Sequence, residues 1–270
     1  MALGSILTVL GRHIPASAVR AIGRRTDRAP FAWIEARTRS TLAGDQTIVR
    51  GAGSGLRFNN GGGRPGYVLG TWEPRVQSVF ASALGRGQVV CDIGSASGFY
   101  AVIAARAVGS TGLVVAFEPL PESVARLRHN ISLNAFTNVT VLPLAVGDTV
   151  GTATLVPGRA EGQARLAASL SAGEAAASLE VEVMTIDRLV DEGVIPVPDI
   201  IKLDVEGAEI AVLIGARQTL ALRKPTLLIE CHDCWTELEL LLKEHGYRYR
   251  FVEARCDPVS PEPFHVFASA

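Results

Sequence analysis

The stretch Val89-Val-Cys-Asp-Ile-Gly-Ser-Ala-Ser-Gly98 decides the fold class of this chain. Its first five residues are apolar except for Asp92, and such a short run is typical of a strand buried inside a parallel sheet. Gly94 and Gly98 then permit a tight turn in which the backbone can approach a ligand at the start of a helix. The stretch therefore predicts a strand, a ligand-binding turn and a helix in direct succession.

Strands and helices continue to alternate on the C-terminal side of this turn. The pattern predicts strands at 89–93, 113–118, 139–146, 200–204 and 226–230, and helices at 101–108, 121–134, 186–190, 208–222 and 234–245. Strands at 152–156 and 179–184 predict an inserted hairpin, and 247–253 and 264–268 predict a closing antiparallel pair. This order predicts an α/β fold in which a mostly parallel sheet, with an antiparallel last strand, is covered by helices on both faces.

The N-terminal part of the chain differs in character from the rest. Residues 1–43 carry apolar side chains at helical spacing, and residues 1–50 contain eight arginines against three acidic residues. The glycine-rich residues 44–70 predict turns around a short hairpin. We therefore divide the chain into an N-terminal helical extension with a glycine-rich hairpin, residues 1–65, and a main domain, residues 66–270. Packing of the extension on a second subunit makes a homodimer one hypothesis, and contact with a membrane surface is the alternative.

The bulk composition argues against several classes of protein. The chain has 270 residues with 26 basic and 27 acidic side chains, and its net charge of −1 gives no reason to expect a nucleic-acid partner. Its start shows no signal-peptide pattern, and no apolar run is long enough to span a bilayer. We therefore expect a cytoplasmic protein without stable membrane insertion.

The ends of the first two predicted strands carry carboxylates that suit a nucleoside cofactor. Asp92 ends the first strand, and Glu118 ends the second, where a carboxylate can bind both hydroxyls of a ribose. A dinucleotide site needs a second closely spaced glycine, but Ser95, Ala96 and Ser97 fill that gap. S-adenosylmethionine has no phosphate, and its ammonium and sulfonium groups favour a carboxylate such as Asp92. A nicotinamide-dependent oxidoreductase therefore remains the weaker alternative.

Several segments together resemble one family of enzymes, the FkbM methyltransferases. The resemblance covers about residues 47–232, and its most specific part is Ile201-Lys-Leu-Asp-Val-Glu-Gly-Ala-Glu209. The other matching segments are Gly70-Thr-Trp-Glu-Pro74, Asp92-Ile-Gly-Ser-Ala-Ser-Gly-Phe-Tyr100, Val115-Ala-Phe-Glu-Pro119, Ala145-Val-Gly-Asp148, Thr185-Ile-Asp-Arg-Leu189 and Leu228-Ile-Glu-Cys-His232. The family usually has Asn-x-Gly where this chain has Ala96-Ser-Gly98.

The resemblance implies a class I methyltransferase with a Rossmann-like sheet that uses S-adenosyl-L-methionine. Members of this family mostly methylate oxygen on sugars, polyketides or related metabolites, and a few methylate nitrogen. The cofactor-binding residues that we expect are Glu73, Asp92, Gly94, Ser95, Ala96, Gly98, Phe99, Glu118, Pro119, Ala145 and Asp148. The main domain, residues 66–270, is then the methyltransferase domain.

Asp204 and His232 are the candidate catalytic residues. Each follows a predicted strand at the edge where ligands bind in such sheets. A hydroxyl acceptor must lose its proton, and the ordinary pKa of histidine, about 6.5, suits a general base near neutrality. Asp204 could orient the acceptor or take the proton itself. Glu206 and Glu209 are interpreted mainly as acids that stabilise a helix start.

Metal binding is an alternative that the sequence does not favour. Asp204, Glu206 and Glu230 offer the hard oxygen ligands that Mg²⁺ prefers. Many methyl transfers need only alignment of the acceptor with the cofactor, so we predict no metal ligand. The Cys231-His-Asp-Cys234 segment lacks the second pair that a structural zinc site needs, and it is interpreted as packing.

These observations predict an O-methyltransferase that acts on a small natural product or sugar, in secondary metabolite biosynthesis or glycan decoration. An N-methyltransferase of the same fold is the first alternative. A catalytically silent protein that only binds the cofactor is a further one. The acceptor itself cannot be read from the motifs, because the segments expected to shape it, residues 1–75 and 157–178, are the least regular.

Overall fold

The computed structural model describes residues 41–157, 164–166, 178–253 and 263–270. The predicted N-terminal helices lie almost wholly outside these residues. The described strands are β1 Asp45–Thr47, β2 Arg57–Asn59, β3 Val89–Ile93, β4 Leu113–Phe117, β5 Val139–Leu142, β6 Ala145–Val146, β7 Gly151–Pro157, β8 Ala164–Leu166, β9 Leu179–Met184, β10 Ile200–Leu203, β11 Thr226–Cys231, β12 Arg248–Phe251 and β13 Phe264–Ser269. The described helices are α1 Gly66–Leu69, α2 Pro74–Ala83, α3 Phe99–Val108, α4 Pro121–Leu133, α5 Ile186–Asp191, α6 Glu209–Ile214, α7 Arg217–Leu222 and α8 Trp235–Glu244.

A seven-stranded sheet in the order β12-β13-β11-β10-β3-β4-β5 forms the centre of the fold. Strands β11, β10, β3, β4 and β5 pair in parallel, whereas β13 pairs antiparallel with both β11 and β12. The predicted mostly parallel sheet with an antiparallel last strand is thus confirmed. Its central strands are buried because helices cover both faces, and this explains why they consist of continuous apolar runs.

The two faces of the sheet belong to separate hydrophobic clusters. In β3, Cys91 and Ile93 pack into the cluster that contains α6, α7 and α8. Val90 packs into the opposite cluster, which contains α3 and part of α4. Because side chains alternate between the faces of a strand, Asp92 lies on the same side as Val90, at the end of the strand where the sheet meets solvent. This alternation places the carboxylate of Asp92 at the carboxyl edge of the sheet.

Two predicted elements are each divided in the structure. The predicted strand at 139–146 becomes β5 in the central sheet and β6 in a second sheet, because Pro143 lies between them and has no N–H to continue a ladder. The predicted helix at 208–222 becomes α6 and α7. Gly215 separates them, at a point where an added Cβ would lie 2.0 Å from the carbonyl oxygen of Gly147.

The predicted inserted hairpin is present and larger than expected. β7 pairs antiparallel with β9, and β6 and β8 extend the insertion to a four-stranded sheet in the order β6-β9-β7-β8. The pairing of β6 with β9 joins the insertion to the segment that follows β5. The insertion therefore borders the carboxyl edge of the central sheet.

The glycine-rich hairpin, β1 with β2, packs on helix α4. The backbone N–H of Asn59 donates to the Asn130 side chain at 2.7 Å, and that of Arg57 donates to the Asn134 side chain at 2.9 Å. Phe58 is fully buried in the cluster that contains α3. The division of the chain at residue 65 stays a prediction. Among the described helices, none has both the length and the apolar character needed to cross a bilayer.

Candidate active site

A cavity of about 590 Å³ opens at the carboxyl ends of β3, β4, β10 and β11. Parallel strands of an open α/β sheet bind ligands at this edge. The structure brings twelve of the thirteen predicted site residues into the wall of this one cavity: Glu73, Asp92, Gly94, Ser95, Ala96, Phe99, Glu118, Pro119, Ala145, Asp148, Asp204 and His232. The thirteenth, Gly98, lies behind the wall, where an added Cβ would meet Leu127 at 2.3 Å. Its φ of +87° ends the turn at the N-cap of α3.

The turn after β3 depends on Gly94. Its φ is +80°, and an added Cβ would lie 1.8 Å from the carbonyl oxygen of Asp204. Only glycine can occupy such a position without moving the backbone of a neighbouring strand end. The Ser95 hydroxyl donates to the carbonyl oxygen of Asp92 at 2.6 Å, and Ala96 has a positive φ of +46°. The turn is therefore closed by local hydrogen bonds and by contact with the end of β10.

Glu118 follows β4 and faces this turn. Its carboxylate accepts hydrogen bonds from the backbone N–H of Ala96 at 2.9 Å and of Leu120 at 2.8 Å. The residue is only 3% exposed, and burial raises its pKa to about 7, although both N–H groups favour the charged form. The carboxylate is thus fixed in orientation at the cavity wall. Each of its oxygens keeps a lone pair for a further hydrogen bond.

Asp92 is almost completely buried at the bottom of the cavity. Among the described residues, neither of its carboxylate oxygens has a hydrogen-bond partner. The nearest cation is Lys202, whose Nζ lies 4.0 Å from Asp92 Oδ1. Burial raises the pKa of Asp92, while Lys202 opposes that rise. A buried carboxylate without hydrogen bonds is costly, so this position suits a positively charged ligand group.

Lys202 is a site residue that the sequence analysis missed. It is 3% exposed in β10, donates to Asp204 Oδ2 at 3.1 Å and lies 4.6 Å from the ring centre of Tyr100. Burial alone would lower its pKa, but the carboxylates of Asp204 and Asp92 outweigh burial and raise it. The available signal was a single charged residue within the apolar run Ile200-Ile-Lys-Leu203, since a buried lysine is rare unless it is paired.

Asp204 and Glu230 form a second group of carboxylates across the cavity from Glu118. Burial raises the pKa of Glu230 to about 10, assisted by the charges of Asp204 and Glu73. Burial also acts against the ionised form of Asp204, but Lys202 and a hydrogen bond with Glu230 together outweigh burial and lower the pKa of Asp204. Asp204 is therefore the ionised member of the pair, and Glu230 holds a proton unless another cation replaces it.

His232 is oriented by a buried carboxylate. Its Nδ1 lies 2.6 Å from Glu209 Oε1, and Glu209 is completely buried at the first turn of α6. Because a carboxylate can only accept, Nδ1 carries the hydrogen and Nε2 faces the cavity, 3.7 Å from Glu230 Oε1. Burial opposes protonation of His232, but Glu209 outweighs burial and raises its pKa. Glu209 also accepts from the N–H of Gly207 at 3.0 Å, so it combines the predicted helix-start role with the positioning of His232.

Glu73 and His265 meet on the same side of the cavity. Glu73 precedes α2 with a φ of +40°, unusual for a residue with a side chain, and accepts a hydrogen bond from the Tyr100 hydroxyl at 2.7 Å. Burial raises the pKa of Glu73. His265, on β13, has its Nε2 3.8 Å from Glu73 Oε2. The sequence analysis assigned Glu73 to the cofactor and did not place His265 in the site.

An aromatic wall closes another side of the cavity. The ring of Tyr67 lies 5.0 Å from that of Phe99 and 5.3 Å from that of Trp72. The Arg64 guanidinium lies 4.6 Å from the Trp72 ring centre. These residues come from the segment around α1 and from α3, and all four line the cavity. The cavity thus combines acidic and aromatic surfaces.

Side chains that could bind a metal ion form different groups from the set that the sequence offered as an alternative. Two groups among the described residues have ligand atoms within 4.8 Å of one another: Glu73, Glu230 and His265 form one, and Asp204, Glu230 and His232 form the other. Glu206, which the sequence analysis grouped with Asp204 and Glu230, belongs to neither. The thiols of Cys231 and Cys234 are free and lie 3.4 Å apart. Cys256 lies outside the described residues.

Comparison with known proteins identifies the family of this chain. The family model for the methyltransferase FkbM domain matches residues 92–249, which is more than half of the chain. The match begins at Asp92, near the end of β3, and includes the glycine turn, Glu118, Asp204 and His232. The fold is that of class I S-adenosylmethionine-dependent methyltransferases. Within that class, the chain belongs to the FkbM methyltransferase family.

Two curated relatives match shorter segments. The protein-L-isoaspartate O-methyltransferase of Ignicoccus hospitalis is 40% identical over 70 residues, covering 26% of this chain and 32% of that protein. Protein-L-isoaspartate O-methyltransferase 1 of Archaeoglobus fulgidus is 36% identical over 85 residues, covering 31% of this chain and 38% of that protein. The chain thus spans about a third of the length of these curated relatives.

Similar solved structures include other methyltransferases. The methyltransferase FkbM from Methylobacillus flagellatus is 16% identical, with a TM-score of 0.47, and the match covers 75% of this chain and 54% of that chain. The precorrin-6y C5,15-methyltransferase from Geobacter metallireducens is 15% identical, with a TM-score of 0.46, and covers 74% of this chain and 90% of that chain.

Proposed function

We propose that this protein transfers the methyl group of S-adenosylmethionine to a hydroxyl oxygen of a small natural product or sugar. The observation that carries the proposal is the division of one cavity between two kinds of surface. Glu118 and the glycine turn lie at one end. The imidazole of His232, held by buried Glu209, faces the other end. The first suits a nucleoside cofactor and the second suits an acceptor that must lose a proton.

The residues at the first end fit S-adenosylmethionine. The buried carboxylate of Asp92 suits the ammonium of its methionine part, because neither oxygen is hydrogen-bonded among the described residues. Glu118 is oriented to accept hydrogen bonds from ribose hydroxyls, and Gly94 lets the backbone approach the ligand closely. Contacts to the remainder of the cofactor are proposed for Ser95, Ala96, Phe99, Pro119, Ala145 and Asp148, which line the cavity.

His232 is the proposed general base. When bound, the cofactor supplies an electrophilic methyl group on a positively charged sulfur. As the acceptor oxygen attacks, its proton passes to Nε2 of His232, and Glu209 stabilises the imidazolium through Nδ1. Asp204 is ionised beside Lys202 and is placed to orient the acceptor hydroxyl. A base with a buried carboxylate behind it favours a hydroxyl over an amine acceptor, because a neutral amine is nucleophilic enough to attack before it loses a proton, whereas a neutral hydroxyl is a much weaker nucleophile.

The aromatic wall supports a small-molecule acceptor. Tyr67, Trp72 and Phe99 offer flat apolar surfaces beside the acidic group, and such a combination suits a sugar or polyketide that carries hydroxyls on an apolar frame. The volume of about 590 Å³ is in the ordinary range for small-molecule sites. A role in secondary metabolite biosynthesis, a cytoplasmic location and a homodimer formed through the N-terminal extension stay part of the proposal.

The proposed function is tested with cofactor carrying an isotopically labelled methyl group. The purified chain is incubated with pools of sugars, glycosides, polyketides and amines, and with an isoaspartyl peptide because of the names of the curated relatives. Mass spectrometry and NMR then locate the methyl group. We expect a single methyl ether on a small hydroxylated acceptor, formed far more slowly by His232→Asn. Methylation of nitrogen or of a peptide carboxyl group would contradict the proposal.

A matched binding experiment tests the silent alternative. Calorimetry with S-adenosylhomocysteine and with NAD should show binding of the first alone. If S-adenosylhomocysteine binds but no acceptor in any pool gains a methyl group, a protein that only binds the cofactor becomes the better description. The distant surface variant Glu244→Ala should behave as wild type in both experiments, because Glu244 is exposed at the end of α8.

A further inference from the structure

His265, on β13, presents a buried nitrogen atom to the cavity side of the sheet. Only 6% of its side-chain surface is exposed. Its Nδ1 lies 2.8 Å from Glu253 Oε1, and its backbone N–H donates to Glu253 Oε2 at 2.9 Å. Among the described residues, Nε2 has no hydrogen-bond partner. A buried nitrogen atom in that state requires an explanation.

The surroundings of Nε2 are themselves acceptors. Glu73 Oε2 lies 3.8 Å away and Glu230 Oε2 lies 3.7 Å away, both beyond hydrogen-bond distance. Because the carboxylate of Glu253 can only accept, Nδ1 carries the hydrogen, and in the neutral ring the lone pair of Nε2 faces the carboxyl oxygens of Glu73 and Glu230. Even the proton that Glu230 holds in the absence of a cation lies too far away to bond with Nε2. A cation between the three atoms would replace that proton and satisfy all of them.

We propose that His265 Nε2, Glu230 and Glu73 bind a divalent transition-metal ion. Their ligand atoms all lie within 4.8 Å of one another. Ligands about 2.1 Å from a shared tetrahedral ion are roughly 3.4 Å apart. The distances from His265 Nε2 to Glu230 Oε2, 3.7 Å, and to Glu73 Oε2, 3.8 Å, are therefore closer to the separation of two ligands of one metal ion than to the length of a hydrogen bond. Side-chain movements of a few tenths of an ångström complete the geometry.

Glu253 provides the outer support that metal-binding histidines usually have. A ligating imidazole almost always donates its other N–H to a carboxylate or carbonyl, which fixes the ring and makes the free nitrogen a better ligand. Glu253 accepts from His265 with both of its carboxylate oxygens: Oε1 accepts from the ring Nδ1–H, and Oε2 accepts from the backbone N–H of His265. The tautomer that a metal ion needs is thus already set by the protein.

The ligand set favours zinc or a similar ion over magnesium. One imidazole with two carboxylates matches the mixed nitrogen and oxygen ligands of zinc and its neighbours in the first transition row. Magnesium takes oxygen ligands and keeps most of its water. The site thus differs in ligands and in metal from the magnesium site on Asp204, Glu206 and Glu230, which was the alternative that the sequence did not favour.

The charges around the site leave room for a divalent cation. Lys202 is already matched by Asp204 at 3.1 Å and by Asp92 at 4.0 Å. The ion-pair contacts of Glu73 and Glu230 are instead made to histidine rings, which carry a charge only when protonated. The charge of Lys202 also reaches Glu73 and Glu230, but this one lysine faces four carboxyl groups, so the cluster can attract a further cation.

The role of the ion rests on the proposed function. Glu73 and Glu230 line the cavity, so an ion between them would face the acceptor end. Coordination of the acceptor oxygen would lower the pKa of its hydroxyl and orient it. The hydroxyl proton would still pass to His232, the C–S bond would break as the C–O bond forms, and the sulfur would leave as a neutral thioether. Binding of the ion itself does not depend on this role.

The experiment measures metal binding directly on the full chain. Protein without a histidine tag is treated with EDTA, dialysed, and titrated with Co²⁺ as a spectroscopic probe and with Zn²⁺ by calorimetry. We expect one ion per chain, a visible d–d absorption without a thiolate charge-transfer band, and displacement of Co²⁺ by Zn²⁺. The variants His265→Ala and Glu230→Gln should lose the site. His265→Gln serves if His265→Ala does not fold.

Glu253→Gln is the sharpest variant, because Glu253 would not touch the ion. It should weaken binding by roughly 10–100-fold while the protein stays folded, as loss of an outer-shell partner does. The control His129→Ala removes an exposed histidine bonded to Asp45 and should leave the affinity unchanged. Replacement of Cys231 and Cys234 together by serine should also leave it unchanged, since their thiols are outside the proposed ligand set.

Several outcomes would overturn the site. Wild-type protein that binds no more ion than His265→Ala would mean that a proton on His265 holds the two carboxylates together. Binding abolished by His232→Asn but kept by His265→Ala would place the ion on the other group. Parallel titrations with S-adenosylhomocysteine separate this from the proposed function: cofactor binding without metal binding refutes the metal site alone, and metal binding without methyl transfer leaves it standing.

Discussion

Replacement of Glu118 by alanine tests the cofactor end of the cavity. The carboxylate is proposed to accept two hydrogen bonds from the ribose, and hydrogen bonds to a charged group contribute about 1.5–3 kcal/mol. Each such bond corresponds to roughly ten- to a hundredfold in affinity, so S-adenosylhomocysteine should bind to Glu118→Ala more weakly by at least that factor. The matched control is Glu122→Ala, four residues along the chain and exposed in the first turn of α4.

The effect of this substitution on stability has two opposing parts. It removes the acceptor of the Ala96 and Leu120 N–H groups, at about 1–3 kcal/mol for each donor left unpaired. It also removes a carboxyl whose pKa rises from 4.5 to about 7 on burial, a cost of about 3 kcal/mol when ionised. The parts largely cancel, so the free energy of unfolding should fall by less than about 3 kcal/mol and the variant should stay folded.

Calorimetry of S-adenosylhomocysteine binding, with urea unfolding of the same samples, checks both parts. If the ionised carboxylate holds the ribose, wild-type affinity should also rise with pH through about 7, because the free protein must first lose the proton of Glu118. The affinity of Glu118→Ala should lack that rise. A folded Glu118→Ala with wild-type affinity would refute the assignment of this residue to the ribose.

Three further substitutions test other parts of the site. His232→Asn should lower turnover roughly 10²–10⁴-fold without changing the affinity for the cofactor. In single-turnover experiments the wild-type rate should rise with pH through a histidine pKa above 6.5 and then become constant. The same pH profile in both proteins would exclude His232 as the base. Lys202→Met leaves the buried carboxylate of Asp92 and the partly buried carboxylate of Asp204 without their cation, and should destabilise the fold by about 3–5 kcal/mol in urea unfolding. Lys243→Met breaks an exposed pair and should cost less than about 1 kcal/mol, so similar losses in both variants would contradict the buried network. Gly94→Ala puts a Cβ 1.8 Å from a backbone carbonyl oxygen and should abolish S-adenosylhomocysteine binding, whereas Gly151→Ala meets nothing within 4 Å; normal binding by Gly94→Ala would show that the turn can move.

The central sheet could be predicted well because its signals are local. Val89–Ile93 and Ile200–Leu203 are short, mainly apolar runs. Asp92 is the next-to-last residue of the first run and Asp204 directly follows the second, and each run is followed by a glycine turn or a helix start. Their parallel pairing followed from the alternation with helices. The divided strand at 139–146 also had a local signal, since Pro143 interrupts it. The break between α6 and α7 at Gly215 had a weaker local signal. Glycine is required there because of a contact with Gly147, which lies far away in the sequence.

It was harder to predict from the sequence which charged residues meet in the cavity. Lys202 belongs to the segment Ile201–Glu209 that resembles the FkbM methyltransferases, but its contact with Tyr100 depends on how α3 packs over β10. His265 follows Glu253 by twelve positions, and its side chain meets Glu73 from the opposite end of the domain. Histidine and glutamate at such separations carry no spacing signal. Their meeting is decided by the antiparallel pairing of β13 with β11.

The sequence by itself determined the order of strands and helices, the glycine turn after β3 and the carboxylate after β4. These depend on periodicity, backbone freedom at glycine and the ends of strands, all of which act over a few residues. Only the tertiary structure decided which charges share the cavity and how they are compensated. Burial and distance set the protonation of Glu118, Glu230 and His232, and both arise from packing between segments far apart in the chain.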